Sequence, residues 1–323
     1  MALALTISLI AAIVPTVLYV LVFYWADRYE REPLWLLSVA FLWGAIPAII
    51  VSIIGELILG WSWVGAADSM TGAIVEGAII APVVEEMAKG VALLLIFLIM
   101  RREFDGVLDG LVYGALIGFG FAMTENFFYF VGAYDEGGYK QLTIVIILRA
   151  MLFGLNHAFY TGLNGIGLGL ARNSRGAVAK WFWGVTGLCA AIAAHSLHNL
   201  GASLAATSVS GLGLSLVVAL AGIGLVVLAV LLSWQYERNC IRNELADEVG
   251  LFISPSEYAQ LIGRWRNPLH KRGSLAKTRA RRLHLAVELA LRKNRVRDAD
   301  PAESMELLRE IAQIRTQLAP PMG

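Results

Sequence analysis

The sequence predicts an all-α, polytopic membrane helix bundle of about seven spans. Its N-terminus is expected outside, its C-terminus in the cytoplasm, with a small helical cytosolic tail. Three observations carry this reading. The 323 residues are 58% hydrophobic and only 16% charged, where soluble domains run about 25% charged. Several apolar runs exceed the roughly 18–20 residues needed to cross a bilayer. Basic residues fall between those runs in a regular alternation. The composition excludes a soluble or intrinsically disordered chain, whereas the net charge of +1 excludes nothing, because the charges are unevenly placed.

The spans follow in order. The first is Ala4–Trp25. Residues Met1–Ala26 lack a basic leader, and the apolar run is longer than a signal-peptide core of about 7–15 residues, so it reads as a retained span. The second is Leu34–Leu59, with Glu56 near its end. The third, Thr71–Met100, carries Glu76, Glu85, Glu86 and Lys89. The fourth, Gly106–Gly132, carries Asp109 and Glu125. The fifth, Leu142–Leu170, carries Arg149 and His157. The sixth, Ala179–Leu204, carries His195, His198 and Asn199. The seventh, Leu212–Trp234, has no charged residue.

The connections set the orientation. Arg28 and Arg31 follow the first span, Arg101 and Arg102 the third, and Arg172, Arg175 and Lys180 the fifth, while Arg238 and Arg242 follow the seventh. Residues 60–70, 133–141 and 205–211 contain one basic residue between them, Lys140. This is the positive-inside pattern. Trp61, Trp63, Trp181, Trp183 and Trp234 near span ends read as an interfacial aromatic belt.

The character changes at Glu237. Residues 1–236 form the expected membrane core, and 237–323 a basic cytoplasmic tail with sixteen of the 26 Lys and Arg residues. Leu275–Lys293 and Ala302–Leu318 have helical periodicity, with Pro301 at a helix start. Arg279, Arg281, Arg282, Arg292 and Lys293 make a cluster that reads as a solvated face, or as a contact for anionic lipid headgroups or an acidic partner. No nucleic-acid motif is present. Cys189 and Cys240 suggest no disulfide framework.

The chemistry collects around Pro82-Val83-Val84-Glu85-Glu86-Met87-Ala88-Lys89, three ionisable residues inside an apolar run. Charges at membrane depth cost about 2.5–3.5 kcal/mol each on insertion scales, and such groups face a protein interior or a wet cavity. Counting inward from the cytoplasmic ends at about 1.5 Å per residue places Glu85, Glu125, His157 and His195 roughly 22–30 Å from that boundary. Four polar residues on four spans thus share one slab, shifted toward the external side. Glu85 and Lys89 are i and i+4 and share a helix face, as do His195 and Asn199, Phe153 and His157, and Phe121 and Glu125. Glu86 is rotated by about 100° from Glu85. Pro82 is expected to break the helix just before the carboxylates. A carboxylate beside a neutral histidine can take a proton from water and direct hydroxide at a carbonyl. A second histidine and an amide can donate to the oxyanion. The set suits peptide-bond hydrolysis. A proton-coupled transporter also needs buried Glu and His residues, and a non-catalytic membrane scaffold could keep the same motifs.

Glu85-Glu86-x-x-Lys89, Phe121-x-x-x-Glu125-Asn126, Phe153-x-x-x-His157 and His195-x-x-x-Asn199 resemble the PrsW-type intramembrane proteases, relatives of the CAAX prenyl protease and bacteriocin-processing family. Asp27-Arg28-Tyr29-Glu30-Arg31-Glu32-Pro33-Leu34 is similar to the start of PrsW-type chains. The wider family shows Glu-Glu-x-x-x-Arg; Lys89 stands one position earlier, as in the PrsW branch. The resemblance covers roughly residues 20–205 and implies a multi-pass protein of the bacterial cytoplasmic membrane. It implies Glu85 as general base, His157 as its partner on the water, His195 with Asn199 as the oxyanion site, and Glu86 as a supporting carboxylate. Lys89, Glu125, Asn126 and His198 are expected to support them. The implied substrate is a membrane-anchored protein within the bilayer, such as a single-span anti-sigma factor cut in regulated intramembrane proteolysis. No cofactor is favoured, yet Glu85, His157 and His195 leave room for zinc with an open position. The glutamate mechanism is preferred because the His-Glu-x-x-His and Glu-x-x-His patterns are absent.

Overall fold

The structure is a computed structural model. It describes residues 1–26, 32–63, 70–205, 207–263, 274–297, 299 and 301–319. Residues 27–31, with Arg28, Arg31 and most of the segment from Asp27 to Leu34, lie outside the described residues, as do the side chains of Trp61 and Trp63. The chain divides into two compact units, one holding residues 1–26 and 32–229 and the other residues 230 onward. All regular structure among the described residues is helical, apart from one isolated bridge between Val249 and Ile253.

In the first unit, α1 (Ala2–Ala26), α2 (Leu34–Trp43) and α3 (Ile49–Trp63) are followed by α4 (Met70–Val75), α5 (Ala81–Ile99), α6 (Val107–Ile146), α7 (Asn156–Arg172) and α8 (Ala177–Ala205). The last helix, α9 (Val209–Glu244), begins in this unit. Large apolar side chains such as Leu9, Leu21, Ile50, Leu98 and Leu228 stay exposed. The solvent these faces require is lipid. Among the described residues five stretches are long and apolar enough to cross a membrane: Ala2–Ala26, Leu34–Leu59, Val107–Arg172, Ala177–Ala205 and Val209–Glu248. The chain is thus an all-α, multi-pass membrane protein. The α5 stretch falls outside this set because Glu85, Glu86 and Lys89 lie within it.

The 66-residue stretch Val107–Arg172 would be about 99 Å long if straight, against a hydrocarbon core of about 30 Å. It is broken twice. At Gly137 (φ −145°) and Gly138 (φ 62°) the backbone leaves the helix. Gly138 occupies the left-handed region that a residue without Cβ enters freely. There the chain reverses: the Arg149 guanidinium reaches the Glu125 carboxylate at 2.6 Å, two groups that a straight helix would hold about 36 Å apart. The second break is at Phe153–Leu155, after which α7 starts afresh. The span drawn as Leu142–Leu170 is therefore not one helix, and Phe153 and His157 do not share a helical face. Phe153 instead packs edge-on against His198, with ring centroids 4.7 Å apart.

Among the described residues, three wide π-helical turns interrupt the α-helices: Gly44–Ala48, containing Pro47, Glu76–Ile80 and Ile147–Leu152. Such turns concentrate at functional sites. The second replaces the break expected at Pro82. The proline sits at the start of α5, directly after that turn.

A glycine ladder fixes the distance between α6 and α7. A Cβ at Gly110, Gly114 or Gly118 would stand 2.1, 2.5 or 2.3 Å from the carbonyl oxygens of Gly165, Thr161 and His157. Small residues four apart allow this backbone approach in membrane helices. The ladder presses the segment bearing His157 and Thr161 against α6.

The second unit holds the end of α9, a 3₁₀ turn at Ala246–Glu248, α10 (Pro255–Ile262), α11 (Ser274–Val296) and α12 (Pro301–Leu318). Ile241, Leu245, Ile253, Leu283, Leu289, Ala290 and Ile314 form its core. Buried Glu248 pairs with Lys293 at 2.7 Å and with Arg315. Ser254 and Glu257 form a capping box at the start of α10. Of the basic cluster, Arg282 and Lys293 make internal ion pairs, with Glu257 and with Asp247 and Glu248.

Candidate active site

Lys89 is the hub of the site. It is completely buried, and its Nζ donates to Glu85 Oε2 at 3.1 Å and Glu86 Oε1 at 2.9 Å. It lies 3.2 Å from His157 Nδ1 and 3.6 Å from the centre of the Phe121 ring. Helix spacing delivers both carboxylates, at i−4 and i−3, to one ammonium. Glu85 and Glu86 therefore flank their shared cation, although they diverge by about 100° around the helix.

Their surroundings differ. Glu86 is sealed, accepting hydrogen bonds from Thr161 Oγ1 at 3.1 Å and His195 Nδ1 at 3.0 Å as well as Lys89. Glu85 keeps a small opening and lines a cavity of about 550 Å³. His195 Nε2 stands 3.9 Å from Glu85 Oε2, too long for a direct hydrogen bond and a span that a water can bridge. Because His195 Nδ1 donates to Glu86, its Nε2 presents a lone pair toward Glu85 in the neutral imidazole.

His157 is held from behind. Its Nε2 is 2.8 Å from Glu125 Oε2. Glu125 also pairs with Arg149 at 2.6 Å, and Arg149 Nε donates to Asn126 Oδ1 at 2.8 Å while lying 3.7 Å from the centre of the Tyr129 ring. The carboxylate orients the imidazole so that Nδ1 faces Lys89, as outer partners of functional histidines do. Arg149, carried by the fifth span, belongs to this buried network.

Asn199 is placed by α8 at the cavity wall, where its Nδ2 donates to the Gly77 carbonyl at 2.9 Å. The π turn at Glu76–Ile80 contains that carbonyl. His198 also lines the cavity, and its Nδ1 is 3.1 Å from Asn156 Nδ2. All nine residues singled out from the sequence thus lie in one connected neighbourhood. Glu85, His157, His195 and Lys89 meet at its centre, Glu125 and Asn126 back His157, and Asn199 and His198 line the wall.

Three residues in the neighbourhood escape the sequence reading. Thr161 binds Glu86. Asn156 binds His198. Tyr160 stacks on His195, with ring centroids 4.6 Å apart and planes at 17°, and its buried hydroxyl has no acceptor for its proton among the described residues. The signal for Thr161 is its i+4 spacing from His157; the tyrosine gives none, since it reads as an ordinary apolar-run aromatic.

Glu85, Glu86, His157 and His195 each offer one ligand atom, and those atoms lie within 4.8 Å of one another. Two carboxylates and two imidazoles fit zinc in donor type and spacing. The Lys89 ammonium already contacts three of those four groups, Glu85, Glu86 and His157. A divalent ion there would place two further positive charges beside it.

The comparisons with known proteins point to one family. The model of the PrsW family intramembrane metalloproteases matches residues 32–234. Protease PrsW of Bacillus subtilis (strain 168) is 30% identical over 152 residues, 47% of this chain and 66% of that protein. Protease PrsW of Geobacillus kaustophilus (strain HTA426) is 30% identical over 167 residues, 51% of this chain and 67% of that protein. For Protease PrsW of Clostridioides difficile (strain 630) the values are 36% over 104 residues, 32% and 42%. The chain thus spans about two thirds of the first two relatives and less than half of the third. No solved structure matches.

Proposed function

The chain belongs to the PrsW family, and on that premise we propose that it is an intramembrane endopeptidase that hydrolyses a peptide bond in a membrane-anchored protein. The observation that carries this is the Glu85–His195 gap. A carboxylate oxygen and an imidazole nitrogen stand 3.9 Å apart on the wall of a cavity of about 550 Å³, spaced to hold one water between them.

Glu85 takes a proton from that water as the oxygen attacks the scissile carbonyl carbon. The carbonyl π electrons move to its oxygen, giving a tetrahedral oxyanion. Collapse breaks the C–N bond, and Glu85 returns its proton to the leaving amine. Lys89 holds Glu85 and Glu86 in place, and Glu125 with Arg149 sets the orientation of His157. Lys89 offsets one of the two carboxylate charges, which leaves one negative charge at the centre for a general base and supports the glutamate mechanism. Should a divalent ion bind, Glu85, His157 and His195 would hold it, and it would supply a water of lowered pKa and polarise the carbonyl.

The substrate class follows from the location. The cavity is walled by membrane helices, and its carboxylate lies in the slab toward the external side. Together these favour a single-span protein cut near the outer leaflet, such as an anti-sigma factor whose cleavage releases a transcription response. The seven-span topology with the N-terminus outside is part of the same proposal; labelling of residues 172–180 from outside would contradict it. To test the activity, the purified full chain is incubated with a library of quenched-fluorescent transmembrane peptides, with and without a chelator. Fragment release supports the peptidase. Proton or solute flux in proteoliposomes without any fragment would replace it with a carrier. Activity retained under chelation supports the glutamate mechanism, and activity lost and restored by zinc favours the metal.

A further inference from the structure

An oxyanion site needs donors with hydrogens to spare. The two groups implied for that role are partly committed. His195 Nδ1 is engaged with Glu86 at 3.0 Å, which leaves Nε2 as an acceptor in the neutral ring. Asn199 spends one of its two amide hydrogens on the Gly77 carbonyl at 2.9 Å. One amide hydrogen therefore remains, where oxyanion sites commonly present several donors.

Tyr160 offers what is lacking. It projects from α7 one turn beyond His157 and lines the cavity that Glu85, His195 and Asn199 also line. Its ring is stacked on His195 and set edge-on to His157, with centroids 4.6 Å and 5.8 Å away. The side chain is 1% exposed. The Asn156 amide donates to its oxygen, and its proton has no acceptor among the described residues. Leaving a buried donor unmatched costs about 1–3 kcal/mol. Few native groups carry that cost, and those that do call for a specific explanation, a catalytic role among them. A phenol whose ring is held against two site histidines and whose proton is uncommitted is a donor whose acceptor arrives with the substrate.

Resting on the peptidase reading, we infer that the Tyr160 hydroxyl is a catalytic residue that donates a hydrogen bond to the tetrahedral oxyanion, together with the free amide hydrogen of Asn199. Tyr160 keeps its proton throughout. The electron pair that leaves the carbonyl π bond settles on the oxygen facing the hydroxyl, and it re-forms the C=O bond when the C–N bond breaks.

The test is Tyr160→Phe in the full chain, assayed on a transmembrane peptide that the wild type cleaves. The expected result is a fall in kcat of about 10²–10³-fold, with KM and melting temperature unchanged or the melting temperature raised. A peptide aldehyde, which captures the tetrahedral geometry, should lose affinity in parallel with kcat. Ser8→Ala is the control. Ser8 is a buried hydroxyl on α1 that does not line the cavity and has no partner among the described residues, and its removal should change kcat less than about twofold, like an ordinary side-chain change away from the chemistry. Wild-type kcat in Tyr160→Phe overturns the inference while leaving the peptidase reading intact. So does an equal loss in Ser8→Ala, or a Tyr160→Phe protein that fails to fold, since the hydroxyl would then hold a structural bond. A wild-type chain that cleaves no peptide overturns the peptidase reading, and the inference falls with it.

Discussion

His157 Nε2 lies 2.8 Å from Glu125 Oε2, so a carboxylate on α6 fixes the ring of a histidine on α7. The same carboxylate is anchored by Arg149 at 2.6 Å, brought back by the reversal at Gly137–Gly138. Removing an outer partner of this kind typically costs 10–100-fold in activity. Glu125→Ala should lower kcat by about that factor with little change in KM. Glu125→Gln, which keeps an acceptor for Nε2–H, should recover part of the loss. Steady-state kinetics on one cleaved peptide checks both, and an Ala variant as active as wild type would leave His157 without its orienting group.

The two adjacent carboxylates should separate under mutation. Glu86 is fully buried with three donors, so Glu86→Ala leaves Lys89 short of a partner in the interior. Breaking a buried pair from one side costs about 3–5 kcal/mol. The expected readout is a large drop in melting temperature in detergent. Glu85→Gln keeps the shape and a hydrogen bond acceptor at the cavity wall. It should retain most of the stability and lose the chemistry.

The distance between α6 and α7 is set by backbone contact, with no side chain to give way. A Cβ at Gly118 would stand 2.3 Å from the His157 carbonyl oxygen. Gly118→Ala must push α7 outward, at an overpacking cost of about 1–3 kcal/mol. It should reduce activity by more than an alanine at Gly132, where nothing lies within 4 Å of the added carbon. Equal activities and melting temperatures would show that α7 has freedom to move.

These contacts mark what the sequence could and could not disclose. Charges at Glu85, Glu86 and Lys89 stand out in an apolar run because lipid penalises them, and the basic connections stand out for the same reason. The turn at residues 133–141 is legible through its glycines and polar residues. The break at Phe153–Leu155 is not, since a single Gly154 in an apolar run differs little from the packing glycines around it. The π turns leave no periodic trace. The partners of Glu125 and Tyr160 come from other helices, and period and spacing within one helix carry no information about them. Arg149 reads as a span-end residue in one dimension and becomes a site residue only once the chain doubles back.

In the second unit, burial pushes the Glu257 carboxyl up. Hydrogen bonds from Arg282 and Ser254 outweigh it and hold the group at about 2, against an ordinary 4.5. A depressed carboxyl contributes stability that is full above its unfolded value and is lost as pH falls through its folded one. Protection of the α10 amides in hydrogen exchange of the full chain should therefore weaken between about pH 4.5 and about 2. Glu257→Gln should flatten that dependence. An unchanged profile in the variant would assign the acid sensitivity to other carboxyls.

If Glu85 performs the chemistry, its carboxylate cannot be replaced by an amide. Wild-type chain and Glu85→Gln, reconstituted at equal density in proteoliposomes with one cleavable transmembrane peptide, are followed for the rate of fragment release. Release by the wild type and none above background by Glu85→Gln, at matched melting temperature, is the expected outcome. Fragment release at the wild-type rate by the Glu85→Gln protein would remove Glu85 from the chemistry.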